Sequence, residues 1–167
     1  MAETDGVHEP SFGRTLVSLG VFLAICFAAA AIGGWLTAGA VETWYPTLEK
    51  PLGTPPSWVF GPVWTALYAM MAVSGWLVWQ RTSGPHRARA MVPFGVQLAL
   101  NVGWSGLFFG LQRPRWALIE IVVLLAAIGW TIRAFRGVNK RAAGLLVPYL
   151  VWVVYATALN AGFVLLN

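Results

Sequence analysis

The chain has 167 residues, of which 58% are hydrophobic and 10% charged, with a formal net charge of +5 and a mean hydropathy of +0.68. Soluble globular chains carry about 25% charged residues. So few charges do not cover a water-facing surface, which argues against a soluble enzyme, a disordered chain and a nucleic-acid binder.

Residues 1–14 read as a flexible N-terminal segment, and residues 15–167 as one membrane domain. Glu3, Asp5 and Glu9 stand there against Arg14 alone. The apolar run that follows is too long for a signal-peptide core, so the first helix is expected to be retained. Charge-free stretches then measure out the spans: 27 residues between Arg14 and Glu42, 30 between Lys50 and Arg81, 23 between Arg89 and Arg113, and 26 from Ala142 onward. Arg115 and Arg133 enclose 17 more, with Glu120 among them. About 20 apolar residues cross a bilayer core, and backbone groups in lipid must be satisfied within their own segment. The fold class is therefore all-α, an integral membrane bundle of five transmembrane helices, over about 15–39, 58–80, 91–111, 116–135 and 142–165. The small-residue run 28–34, AAAAIGG, suits either packing inside the chain or a homodimer contact.

Five spans put the termini on opposite faces. One face collects Arg14, Arg81, Arg87, Arg89, Arg133, Arg136, Lys140 and Arg141; the other collects Lys50, Arg113 and Arg115. That bias places the N-terminus in the cytoplasm and the C-terminus outside, in what reads as a bacterial cell membrane, with anionic membrane lipids accounting for the charges. The connection over 40–57 is different in kind. It carries Pro46, Pro51, Pro55 and Pro56. Proline fixes φ and lowers the entropy lost on ordering, so this segment reads as a semi-rigid lid on the outer face.

The ordinary means of catalysis are missing. His8 and His86 fall outside the spans, Cys26 is alone, and no nucleophile–base pair or phosphate loop is visible. No metal site is expected, no cofactor is required, and conventional enzyme chemistry has no foothold. The one charge inside a span, Glu120, lies about 6 Å in from Trp116 and is expected to reach headgroups or Arg115. Uncharged groups carry the signal instead. Gln97, Asn101 and Ser105 recur at i, i+4, i+8 and share a face of the third helix. Trp64, Tyr68, Met71 and Gly75 share one on the second, and Tyr149, Trp152, Ala156 and Asn160 one on the fifth. Structural glue explains the amides as readily as ligand binding does.

Depth separates the indoles. Trp35, Trp58, Trp76, Trp79, Trp116 and Trp130 lie near span ends, where an interfacial belt accounts for them. Trp64, Trp104 and Trp152 lie at depths of about 9, 12 and 20 Å from the outer ends, at 1.5 Å per residue. An aromatic-walled pocket under the 40–57 lid is expected, suited to a flat lipophilic ligand with a few polar handles.

The segments WYPTLEKP (44–51), PPSWVFGPVWTALY (55–68), QLALNVGWSGLFFG (97–110), WALIE (116–120) and PYLVWVVYATALN (148–160) together resemble the tryptophan-rich sensory protein family, TspO/MBR. The resemblance runs from Arg14 onward, in five ordered segments. It implies a five-helix bundle, often dimeric, that binds porphyrins such as protoporphyrin IX, and drug-like or sterol ligands in some members. The ligand positions it implies are Trp44, Trp64, Tyr68, Asn101, Trp104, Ser105, Trp116, Trp152, Ala156, Leu159 and Asn160. Trp64 and Trp152 match the two indoles implicated in light-dependent porphyrin degradation by some bacterial members. Three positions depart from the family. Gly53 stands where the loop usually has Trp, and Ser105 replaces an Asn of some bacterial porphyrin sites. Ala161 and Leu165 replace the Tyr and Arg of the animal sterol motif, which argues against cholesterol recognition by that route. The leading expectation is a porphyrin-binding sensor or regulator. The alternatives are a light-driven porphyrin-degrading catalyst and a transporter of porphyrins or other lipophiles.

Overall fold

The structure is a computed structural model that describes residues 12–167, so most of the segment expected to be flexible lies outside the described residues. Helix α1 spans Phe12–Thr43, α2 Ser57–Trp79, α3 Gly84–Ser105, α4 Pro114–Arg136, α5 Lys140–Leu145 and α6 Val147–Leu166. Five stretches are long and apolar enough to cross a membrane, α5 and α6 together forming the fifth. No strand occurs among the described residues. The all-α five-span architecture is as expected.

Helix ends differ from expectation for local reasons. α1 takes in residues 40–43 of the expected lid, because nothing there breaks a helix before Pro46; the lid is shortened to 44–56. At 32 residues α1 is about 48 Å long, well beyond a hydrocarbon core of about 30 Å. α3 begins at Gly84, seven residues before the expected 91, with Pro85 inside its first turn, where the missing N–H costs nothing. The fifth span is broken at Leu146. Pro148 has no N–H for the carbonyl four residues back, and its ring crowds that carbonyl. The short α5 is capped by Asn139, whose side chain accepts from the backbone N–H groups of Arg141 and Ala142.

The end of α3 carries the most consequential irregularity. Gly106–Gly110 is a π turn, with Leu111 N–H donating to Gly106 O at 2.7 Å. Such turns recur at functional sites because they re-aim side chains. Here the turn brings Phe108 and Phe109 beneath the lid. Gln112, at φ 53°, then reverses the chain into α4.

The helices form a closed ring. α1 packs on α2 and α3, α3 on α4, α4 on α5 and α6, and α5 on α2. Side chains complete the wall between α2 and α6, through Trp64–Tyr149 at 6.4 Å and Phe60–Trp152 at 6.1 Å between ring centroids. The core holds Cys26, Met71, Leu98, Ile121, Ile128 and Val153. At Gly75 a Cβ would stand 2.7 Å from Phe22, so this glycine sets the closest approach of α1 to α2. Val17, Val21 and Ile25 of α1, Val122 and Val123 of α4, and Val151 and Val154 of α6 are exposed, the lipid-facing surface of a bundle with an apolar solvent.

Of the indoles expected in an interfacial belt, Trp35, Trp58, Trp116 and Trp130 are exposed. Trp76 and Trp79 are half-buried instead. Trp76 donates from Nε1 to Ser18 Oγ at 3.2 Å, and the Arg87 guanidinium lies 3.9 Å from the Trp79 ring centroid.

Candidate functional site

The middle of the bundle contains a hydrogen-bonded polar group shared by three helices. The Tyr68 hydroxyl of α2 donates to Asn101 Oδ1 of α3 at 2.5 Å, and Asn101 Nδ2 donates to the Tyr149 hydroxyl of α6 at 3.1 Å. All three residues are buried. An amide in an apolar interior is costly unless its donors and acceptor are met, and here two phenols meet it from opposite sides. Trp64 lies over this group, 5.6 Å from the Tyr68 ring. Trp152 sits one layer outward, between Phe60 and Tyr155. Ala156 packs against the same core.

A second aromatic layer lies directly under the lid. Trp104 stacks on Phe108 at 5.2 Å, Trp44 of the lid meets Phe108 edge-on at 5.7 Å, and Tyr45 contacts Phe109 and Phe163. Leu159 packs against this layer. Trp104 Nε1 donates to Asn160 Oδ1 at 3.2 Å, and Asn160 Nδ2 donates to Pro114 O at 2.9 Å, so one amide joins α3, α6 and the start of α4.

The lid is fastened at three points. Glu49 N–H donates to Asn167 Oδ1 at 3.0 Å, and Asn167 Nδ2 returns a bond to Glu49 O. The Tyr155 hydroxyl donates to Gly53 O. Pro51 rests on Gly162, where a Cβ would come within 2.6 Å of the proline ring. Gly53 has φ +88°, the left-handed region that glycine enters without penalty. The position that bears an indole in the resembled family is therefore a backbone acceptor here. Lys50 Nζ lies 5.2 Å from the Tyr45 ring centroid. Burial, with a smaller contribution from the Tyr155 phenol, pushes the Tyr45 phenol above its ordinary range.

The expected residues divide into three groups. Trp64, Tyr68, Asn101, Trp152 and Ala156 line the interior, and Trp44, Trp104, Leu159 and Asn160 form the layer under the lid. Ser105 turns the other way: its Oγ lies 3.4 Å from where a Cβ on Gly33 of α1 would stand. Trp116 is 63% exposed and faces an outer groove. That groove has a volume of about 530 Å³, and none of Trp64, Trp104 and Trp152 lines it. Each of those three has ring neighbours of its own: Trp64 has Tyr68 and Tyr149, Trp104 has Phe108 and Phe109, and Trp152 has Phe60 and Tyr155.

Glu120 corrects the expectation of an interfacial carboxylate. Both its oxygens are buried without a hydrogen-bond partner among the described residues, and Oε1 lies 3.7 Å from a Cβ position on Gly103. Glu120 shares a helix face with Ala117 and Leu124, both in the core, so that face carries it inward. Gln97, one turn from Asn101, is buried with both amide atoms unpaired.

Phe60, Tyr149 and Tyr155 lie outside the set that the resemblance implies. Their signal is spacing: Phe60 precedes Trp64 by four residues, and Tyr149, Trp152 and Tyr155 follow at intervals of three. No cluster of three or more metal-ligating side chains occurs among the described residues.

Known proteins are similar in sequence to this chain along nearly its whole length. The tryptophan-rich protein TspO of Archaeoglobus fulgidus is 41% identical over 154 residues, covering 92% of this chain and 97% of its own. The human translocator protein is 39% identical over 155 residues, covering 90% and 86%. The tryptophan-rich sensory protein of Cereibacter sphaeroides is 37% identical over 146 residues, covering 87% and 89%. The profile of the TspO/MBR family matches residues 22–166, and the chain belongs to that family.

Proposed function

We propose that this membrane protein is a tetrapyrrole-binding sensor or regulator that receives protoporphyrin IX or a similar planar lipophile among the rings beneath its first loop. The observation that carries the reading is the buried Tyr68–Asn101–Tyr149 group with Trp64 packed beside both phenol rings. Indoles supply flat apolar walls, and the amide with its two phenols supplies the few polar contacts that orient a ligand. The ring contacts between α2 and α6 part more readily than a backbone-to-backbone helix seam, which gives a flat guest a way in. Trp44, Trp104, Leu159 and Asn160 bound the same space from above.

The test is a titration of the detergent-purified protein with protoporphyrin IX, followed by quenching of Trp fluorescence. Saturable quenching is expected in the wild type, with affinity lowered in both Trp64→Phe and Trp152→Phe. Quenching that does not saturate, or is untouched by either change, removes the reading.

A light-driven degradative reading is favoured by one further observation. Trp64 lies within 5.6 Å of Tyr68 and 6.4 Å of Tyr149, a run of oxidisable rings beside the space. The chemistry would belong mainly to the photoexcited ligand. New absorbance bands formed in the light and absent in the dark identify it.

A further inference from the structure

The outer groove is lined by Trp44 and Leu48 of the lid, Gln112 to Trp116 at the start of α4, and Phe163, Val164 and Asn167 at the end of α6. Its volume of about 530 Å³ falls within the range of about 300–1,000 Å³ typical of small-molecule sites. Its composition is unlike the rest of the surface. Two arginines, Arg113 and Arg115, line it together with two tryptophans, Trp44 and Trp116, and the apolar Leu48, Phe163 and Val164. Among the described residues, no acidic side chain lines it. Glu120 is turned into the bundle. General attraction to headgroups explains a scatter of basic residues. It does not explain two arginines sharing one concave site with two tryptophans.

We propose that this groove is a separate binding site for an anionic amphiphile. Arg113 and Arg115 hold its carboxylate or phosphate, and its apolar body lies on Leu48, Phe163 and Val164 between Trp44 and Trp116. Guanidinium forks match both oxyanions in a bidentate geometry that ammonium groups lack. The indoles flank the body as amphipathic walls, apolar on the ring and polar at the N–H. None of Trp64, Tyr68, Asn101 or Trp152 lines this site, and Trp44 is the wall it shares with the layer beneath the lid. A free carboxylate lipophile and an anionic lipid carry the same chemistry.

The experiment has one arm for each source, and compares the wild type, Arg113→Gln/Arg115→Gln, and the inner-face control Arg133→Gln/Arg136→Gln. In dodecyl maltoside, energy transfer from Trp reads the binding of cis-parinaric acid and of its methyl ester. In nanodiscs, native mass spectrometry reads retention of phosphatidylglycerol against phosphatidylcholine. At least a tenfold preference for the acid over the ester, or a comparable preference for the anionic lipid, is expected in the wild type and the control. It is expected to be lost in the groove variant, and the arm that shows it names the source. Val164→Trp, which fills the groove and keeps both arginines, is expected to lose the same binding, so the test survives misfolding of the arginine variant. Equal binding of acid and ester together with equal lipid retention overturns the proposal. So does a preference that persists in both groove variants.

Discussion

The most informative single residue is Asn101. It accepts from Tyr68 and donates to Tyr149, so three helices agree on one position through two hydrogen bonds. Tyr68→Phe removes the donor and leaves Asn101 Oδ1 without it. A hydrogen bond between helices contributes about 0.5–1.5 kcal/mol, less where the unfolded state finds other partners. We expect a loss in that range by reversible denaturation in mixed micelles, and lower protoporphyrin affinity; unchanged stability would show that the bond contributes nothing net. The presence of Asn101 on a polar face is legible from its spacing with Gln97. Its partners are not, because spacing along one helix says nothing about which neighbour faces it. The same limit explains Ser105 and Glu120. Ser105, four residues from Asn101, is carried toward Gly33 of α1, and the Glu120 carboxylate turns inward beside Gly103.

Among the elements, the lid is defined by what it lands on. Proline content alone marks 40–57 as semi-rigid, and the structure shortens that lid to 44–56 and adds the fastening at Gly162, Gly53 and Asn167. Gly162→Ala places a Cβ into Pro51 and is expected to lift the lid while the bundle stays folded. Hydrogen exchange at the Glu49 amide, now bonded to Asn167, is expected to speed up about tenfold, which corresponds to about 1.4 kcal/mol of lost protection. Exchange at wild-type rates would mean that the Pro51 contact does not hold the lid. The π turn at Gly106–Gly110 is the other element that the sequence conceals. Its residues GLFFG read as the plain end of a helix. Only the demand to seat Phe108 under both Trp44 and Trp104 favours the wider turn.

For the whole molecule, the basic residues assign an orientation. Eight lie on one face and three on the other, and the basic-rich face is expected in the cytoplasm. In a Cys26→Ser background, Cys introduced at Ser83 is expected to resist a membrane-impermeant maleimide in intact cells, and Cys at Thr47 to react. The reverse pattern would invert the topology. Cys26 itself is fully buried, so its replacement leaves both labelled surfaces intact. At this scale the number of spans and their order are legible from charge-free lengths, because a bilayer imposes one ruler on every segment.

Local chemistry determined the helices, the lid and the depth of each indole: a chain with so few charges and such regular apolar lengths has no other way to satisfy its backbone in lipid. Tertiary packing alone decided which rings touch, where Glu120 turns and where a cavity remains open. Those outcomes depend on the rotation of each helix about its own axis, and a helix buried among five acquires that angle from its neighbours. Trp64 thus meets Tyr149 across α2 and α6, while Arg113 and Arg115, ordinary flanking charges by position, both line one groove.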